Sequence, residues 1–245
     1  MRSMNLPGVR QTIVLAAGLG SRLGSGEAGV PKPLQVVAGA PLIVHALAHA
    51  AASGCDEAII VIGHQGARVR AAVDAVDRPL AVRFVENPDP STPNGESLRL
   101  AGSLAGAVFY LQMVDHLFAL PVLSRLAAAV LDAGTVGRVL VDRAPGPDLD
   151  LSDATKVRLA GDRVTAIGKA VAPWDAVDAG CFVMTRGIFD ALNEVPSSEP
   201  RTVSSAMRRL AARGALGFAE LGGIHWIDVD TPADCRAAER LLMAS

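Results

Sequence analysis

Along the first 143 residues, short apolar runs alternate with longer amphipathic stretches. Residues 13–17, 57–62, 80–85, 107–114 and 135–141 are short and rich in Val, Ile and Leu, and they predict strands. Between them, residues 41–53, 65–76, 95–105 and 122–131 repeat apolar side chains at helical spacing and predict helices. Continuous apolar runs suit strands buried on both faces, and strands joined by helices predict a parallel sheet covered on both sides. The expected class is α/β: a doubly wound, mostly parallel, Rossmann-like sheet with helices on both faces. Such sheets bind ligands at the carboxyl ends of their strands.

The pattern changes after about residue 143. Residues 144–153 are rich in Pro, Gly and Asp and predict a loop. Residues 155–159 and 163–167 flank Ala160-Gly161-Asp162 and predict a small β-hairpin insertion in the C-terminal half. A strand at 177–185, helices at 186–193 and 203–213, and a last strand at 225–229 follow. Thr231-Pro232-Ala233-Asp234 then opens a terminal helix, with Thr as N-cap, Pro in the first turn and an early acid. No internal repeat is visible.

Composition narrows the function classes. Of the 245 residues, 50% are hydrophobic and 20% charged, which excludes a disordered chain. A net charge of −2 argues against a general nucleic-acid binder, which carries a basic excess. Cys55, Cys181 and Cys235 are scattered and odd in number, so they predict reduced thiols and neither a disulfide framework nor a zinc site. No window holds about 20 uninterrupted apolar residues, so no membrane insertion is expected. The best apolar window, residues 105–123, is broken by Gln112, Asp115 and His116. The run at 13–17 reads as a first strand and not as a signal peptide. A soluble, cytoplasmic protein is the expectation. Oligomeric state is not legible.

The first predicted strand runs into Leu15-Ala16-Ala17-Gly18-Leu19-Gly20-Ser21-Arg22-Leu23-Gly24. A glycine-rich turn at a strand end brings backbone N–H groups close to an anion. A dinucleotide site needs G-x-G-x-x-G, but Leu23 occupies the place of the third glycine. A P-loop needs G-x-x-x-x-G-K-[ST], but Lys32 lies between Pro31 and Pro33. The remaining reading takes the loop with Pro31-Lys32-Pro33-Leu34, so that Arg22 and Lys32 flank one triphosphate. Proline fixes φ, so Lys32 sits on a stiff segment.

Gly18-x-Gly20-Ser21-Arg22 followed by Pro31-Lys32-Pro33-Leu34 resembles the motif pair of the sugar-1-phosphate nucleotidylyltransferases. Further segments narrow the likeness. Glu86-Asn87-Pro88 and Asn94-Gly95-Glu96-Ser97-Leu98 fall where that family reads the base. Asp115-His116, Asp153-Ala154-Thr155-Lys156-Val157, Ile167-Gly168-Lys169, Asp178-Ala179-Gly180 and Trp226-Ile227-Asp228-Val229-Asp230-Thr231-Pro232 follow in order. The order is most similar to the CTP:inositol-1-phosphate cytidylyltransferases, over roughly residues 11–243. Val114 stands where many of that family carry a small residue. In several members the domain is fused to a membrane phosphotransferase domain; no such segment is legible here.

The resemblance implies one domain, with residues of about 11–143 as a nucleotide-binding half and about 144–245 as a half that binds the acceptor and completes a metal site. It implies CMP transfer from CTP to a phosphorylated cyclitol, inositol 1-phosphate first, giving CDP-inositol and pyrophosphate. A phosphate monoester has a second pKa of about 6 and is already a nucleophile at neutral pH, so no general base is needed. The difficulty is gathering negative charges, so positioning and charge neutralisation carry the chemistry. Arg22 and Lys32 are the implied catalytic cations. Ala16, Ala17, Gly18, Gly20 and Ser21 would line the nucleotide phosphates, and Asn94 and Gly95 the base. Lys169 would hold the acceptor phosphate, with Asp178 and Gly180 beside its hydroxyls. Asp115 and Asp228, with Asp230 as competitor, would hold Mg²⁺, which favours hard carboxylates. A CDP-alcohol phosphotransferase is the implied downstream partner.

Alternatives stay open at this point. The acceptor can be a hexose 1-phosphate, another cyclitol phosphate, phosphocholine or a phosphonate, and the nucleotide another NTP. An NAD-dependent oxidoreductase would use the glycine loop differently, and a non-catalytic subunit would have lost a loop cation or an acid. His45 and His49 share a helix face but lack the Glu of H-E-x-x-H, so packing or surface roles are expected. Trp174 and Trp226 are expected to pack, Arg208-Arg209 to be solvated, and His64 lies at a strand end.

Overall fold

In a computed structural model, described over residues 8–18, 29–127 and 131–243, the chain builds a nine-stranded sheet flanked by helices. In chain order the strands of the first half are β1 (Gln11–Ala16), β2 (Val36–Val37), β3 (Ala40–Pro41), β4 (Glu57–Ile62), β5 (Ala81–Glu86), β6 (Val108–Met113) and β7 (His116–Phe118). The second half adds β8 (Gly137–Asp142), β9 (Lys156–Ala160), β10 (Arg163–Gly168), β11 (Ala176–Thr185), β12 (Leu216–Glu220) and β13 (Trp226–Asp228). The helices are α1 (Leu42–Ala52), α2 (Gly66–Asp74), α3 (Asn94–Leu100), α4 (Leu123–Ala127), α5 (Gly187–Asn193), α6 (Val203–Ala212) and α7 (Pro232–Met243).

The sheet order is β5-β4-β1-β6-β11-β8-β12-β10-β9. β5, β4, β1 and β6 are parallel, and the apolar runs of β1 and β4 suit strands buried on both faces. β11 runs antiparallel to both β6 and β8, and β12 returns parallel to β8. The parallel runs are therefore β5-β4-β1-β6 and β8-β12, and the expected doubly wound α/β class is interrupted by the reversed strand β11 and flanked by the reversed strand β10. The hairpin β9–β10 turns at Gly161, whose φ of +57° favours glycine, and it extends the sheet beyond β12. β13 falls within the last strand expected at 225–229, whereas β7 and β12 carry no strong apolar run and were not among the expected strands.

Alternating side chains divide the core between the two faces of the sheet. Ile13 and Leu15 of β1, with Ile59, Val61, Phe109 and Leu111, pack beneath α3, α5 and α6. Val14 and Ala16, with Ala58, Ile60 and Ile62, face α1, α2 and α7. Tyr110, Cys181 and Val183 meet α4. Fully burying each large aliphatic side chain contributes about 1.5–3 kcal/mol, so this double-faced core fixes the strand order on which the crevice depends. No helix among the described residues is long and apolar enough to cross a membrane. Cys55 and Cys181 are buried free thiols.

His45 and His49 of α1 are structural. His45 Nε2 meets the Val37 carbonyl at 2.9 Å. The His49 ring packs on Phe118 with centroids 5.9 Å apart. Burial first, and His45 second, push His49 down from 6.5 to about 4. Its folded pKa lies below the unfolded one, so the unfolded chain binds more protons in this window. The stability it contributes is complete above about pH 6.5 and is lost as the pH falls toward 4. Urea denaturation at pH 7 and pH 5 should show wild type losing about 1–2 kcal/mol more than His49→Phe over that interval. Equal losses would contradict a neutral, buried His49.

Candidate active site

The chain leaves β1 to one side through β4 and β5, then returns to the other side as β6. The carboxyl ends of β1 and β6 therefore border the point where the strand order reverses, where open α/β sheets bind ligands. Leu15 pairs with Met113, so Gly18 and Asp115 emerge side by side just beyond the sheet. β11 is antiparallel to β6, with Cys181 opposite Gln112, so its early residues Asp178 and Gly180 reach the same edge. Val177 pairs with Lys156, which places the hairpin ends, including Thr155 and Lys169, on the far wall.

Lys32 occupies the centre of this edge. Pro31 and Pro33 flank it in a short 3-10 turn, closed by Leu34 N–H to the Pro31 carbonyl at 2.8 Å. Lys32 Nζ donates to Asp115 Oδ2 at 2.6 Å and to Asp230 Oδ1 at 2.5 Å, and its side chain is only 12% exposed. Burial alone would lower the Lys32 pKa, but the charges of Asp115 and Asp228 outweigh it and raise it above its ordinary value. Burial would raise Asp115; the Lys32 ammonium, with His116, instead holds it far below the usual carboxylate range. This lysine is permanently charged at physiological pH.

β7 and β13 complete the site. Their antiparallel register sets His116 opposite Asp228 and Phe118 opposite Trp226. His116 Nδ1 lies 2.8 Å from Asp115 Oδ1. Burial would lower His116, but the Asp228 charge and the Asp115 hydrogen bond raise it to about 9. Burial raises Asp228 above the ordinary carboxylate value, against the pull of His116. Burial likewise pushes Asp178 up to about 6, although Gly180 N–H donates to its Oδ1 at 2.8 Å. Asp230 is placed by the start of α7, where Asp234 Oδ2 accepts from Asp230 N at 3.0 Å and from Thr231 N at 2.7 Å.

A divalent cation fits this donor set. Asp115, His116 and Asp228 each offer a ligand atom within 4.8 Å of the others. Asp228 Oδ1 is buried with no hydrogen-bond partner, which is costly for a carboxylate unless a cation satisfies it. The two carboxylates suit a hard ion, whereas imidazole suits softer metals. Asp230, the third acid expected at a metal, lies outside this trio and places its Oδ1 on Lys32 Nζ.

Two cavities share Lys32 in their walls. A slot of about 110 Å³ is lined by Ala16, Ala17, Pro90, Thr92 and Ser97, with Gly18, Lys32, Asn94 and Asp115. Those last four also line a cavity of about 560 Å³ that holds Asp153, Lys169, Asp178, Gly180, Asp228 and Asp230. Most expected site residues thus converge. Gly20, Ser21 and Arg22 lie outside the described residues. Lys169 is ion-paired with Asp153 on the outer wall. Asn94 lines both cavities, while its Oδ1 accepts the Val203 N–H of α6 at 2.9 Å. Gly95 is required by packing: a Cβ there would collide with the Arg201 carbonyl. His64 bonds Gln65 and lines neither of these cavities. Trp174 is 37% exposed, so packing describes only Trp226.

The sequence left His116 and Asp142 without roles. The available signals were a histidine directly after a strand-end acid, and a second acid ending the β8 run. Trp226 Nε1 donates to Asp142 Oδ2 at 2.9 Å in the interior.

The model of the MobA-like NTP transferase domain matches residues 12–213. A Bifunctional IPC transferase and DIPP synthase of Rubrobacter xylanophilus is 37% identical over 232 residues, 94% of this chain and 51% of that protein. A CMP-5'-(3-aminopropyl)phosphonate synthase of Streptomyces rubellomurinus is 32% identical over 246 residues, 94% of this chain and 38% of that protein. The solved inositol-1-phosphate CTP transferase from T. maritima has a TM-score of 0.83 at 26% identity, covering 96% of both chains. The chain spans about half the length of the first curated relatives it matches.

Gly180 has a φ of +69°, and a Cβ there would overlap the His116 ring. Gly180→Ala should lower the melting temperature by several degrees, for an expected cost above about 1 kcal/mol. An unchanged melting curve would contradict the tight seat of His116.

Proposed function

The chain belongs to the MobA-like NTP transferase family, and we propose that it transfers CMP from CTP to a phosphorylated cyclitol, inositol 1-phosphate first. The products are CDP-inositol and pyrophosphate. The observation that carries this is Lys32, a buried, charged ammonium in the walls of both cavities. In this reading the narrow slot takes the pyrimidine nucleotide and the larger cavity takes the acceptor. The names of the inositol-1-phosphate CTP transferase and the IPC transferase relatives support CTP and inositol phosphate.

The chemistry follows from charge. An acceptor phosphate oxygen forms a bond to the α-phosphorus of CTP, and the bond to the bridging oxygen breaks and releases pyrophosphate. The acceptor is already a dianion near neutrality, so no residue need remove a proton. Lys32 exchanges its carboxylate partners for the α-phosphate and offsets charge as it builds. Arg22 and the Gly18–Ser21 backbone would hold the rest of the triphosphate. Asp115 and Asp228 would hold Mg²⁺, which would supply charge neutralisation at the phosphates. Asp178 would accept acceptor hydroxyls, and Lys169 would leave Asp153 for the acceptor phosphate. A CDP-alcohol phosphotransferase consuming the product belongs to the same proposal.

A second acceptor class is favoured by one feature. Asp148, Asp150, Asp153 and Asp178 crowd the larger cavity, which suits an ammonium group as well as hydroxyls. That fits an aminoalkylphosphonate, as in the name of the Streptomyces relative.

Pyrophosphate release, crossing the four NTPs with inositol 1-phosphate, hexose 1-phosphates, phosphocholine and 3-aminopropylphosphonate, tests both. Release with CTP and inositol 1-phosphate is the expected result. Release confined to the aminophosphonate would select the second class, and silence throughout would contradict the activity. Lys32→Ala should fold and lose at least about 10²–10³-fold in turnover, the scale of removing one group that stabilises transition-state charge. Near-normal turnover would remove Lys32 from the chemistry.

A further inference from the structure

We infer that His116 is a positioning residue for Asp115, and that Trp226, Gly180 and Asp142 exist to hold its ring at the required angle. The inference rests on the proposed cation site at Asp115 and Asp228. A carboxylate only accepts hydrogen bonds, so His116 Nδ1 carries the proton donated to Asp115 Oδ1 at 2.8 Å. Lys32 takes Oδ2 at 2.6 Å. Asp115 is thereby clamped through both oxygens, by one rigid ring and one flexible ammonium. When Lys32 moves to a phosphate, His116 is the clamp that stays.

The ring itself cannot turn freely. One face stacks on Trp226, with centroids 5.3 Å apart and planes 12° apart. Gly180 packs against the ring closely enough that a Cβ would overlap it, and its φ of +69° suits glycine. Trp226 is fixed in turn by Phe118 stacked at 6.0 Å and by its Nε1–H bond to the buried Asp142. A group whose only role was to fill this space would need neither a buried carboxylate anchor nor a glycine seat. Groups that orient a metal-binding side chain change metal affinity by about 10–100-fold when lost.

Isosteric replacement separates positioning from packing. The Nδ2 of Asn overlays His Nδ1, whereas the Nε2 of Gln overlays His Nε2. Mn²⁺ binding to the free enzyme is therefore followed by electron paramagnetic resonance for wild type, His116→Asn, His116→Gln and His116→Leu, with thermal melts alongside. His116→Asn should bind Mn²⁺ within about threefold of wild type. The Gln and Leu variants should bind at least about tenfold more weakly. Trp226→Phe, which keeps a ring but loses the bond to Asp142, should fall between them. Equal weakening of Asn and Leu, an Asn variant that does not fold, or a folded Leu variant with wild-type affinity would each overturn the positioning role. Wild type that binds no Mn²⁺, or Asp228→Asn that binds as well as wild type, would instead overturn the cation site itself.

Discussion

A lysine ammonium buried between two carboxylates is the interaction on which the rest of this site depends. Lys32 is mostly withdrawn from water, and so are Asp115 and Asp230. Moving such charges out of water costs several kcal/mol each, repaid only by close pairing and saturated hydrogen bonding. The pairing therefore constrains the whole edge of the sheet. Pro31 and Pro33 stiffen the backbone of the lysine, the end of β6 supplies one acid, and the capped start of α7 supplies the other. Such an arrangement contributes little net stability, since a charged cluster is a poor substitute for an apolar core. Its value is that the ammonium is already dehydrated and aimed when a phosphate arrives.

The fold supplies this by joining two distant pieces of chain. The reversal of strand order beside β1 opens the crevice, and the reversed strand β11 forms its second wall. The short ribbon β7–β13 then links residues more than a hundred positions apart, setting His116 opposite Asp228. In an antiparallel ribbon opposite residues lie close together, so this register gathers the charges. Because side chains alternate between faces, a slip of one residue would turn Asp228 away and expose Trp226. The Trp226–Asp142 bond ties that register to β8 in the main sheet.

The first half of the fold was legible because β1, β4 and β6 are largely buried on both sides and carry apolar runs, and because the edge strand β5 keeps Val82, Phe84 and Val85. β1, β4, β5 and β6, with helices α1 to α3 between them, lie close to where their periodicity places them. The hairpin β9–β10 was legible from Gly161 and its flanks. β7 and β12 were harder for different reasons. β7 has three residues, of which His116 is polar for the sake of the site, and β12 begins Leu-Gly. β13, equally short, was legible as the last strand at 225–229. Of the site, Lys32, Asp115, Asp178, Asp228 and Asp230 stood out as charges at strand ends or between prolines. Their partnerships did not. Nothing in the sequence shows that Asp230 pairs with Lys32 while Asp228 turns toward His116, because both belong to a register between two short strands. Gly95 and Gly180 were marked through family likeness, and packing against Arg201 and His116 accounts for them physically.

The central claim is that Lys32 is a charge held in reserve for the nucleotide, and one structure tests it most directly. A crystal structure of the enzyme with Mg²⁺ and a non-hydrolysable CTP analogue would show where the Lys32 ammonium goes. The expected result is Nζ within hydrogen-bonding distance of the α-phosphate, with Asp115 and Asp228 on the metal ion. A complex in which Lys32 keeps both Asp115 and Asp230 while the triphosphate lies beyond its reach would contradict the account.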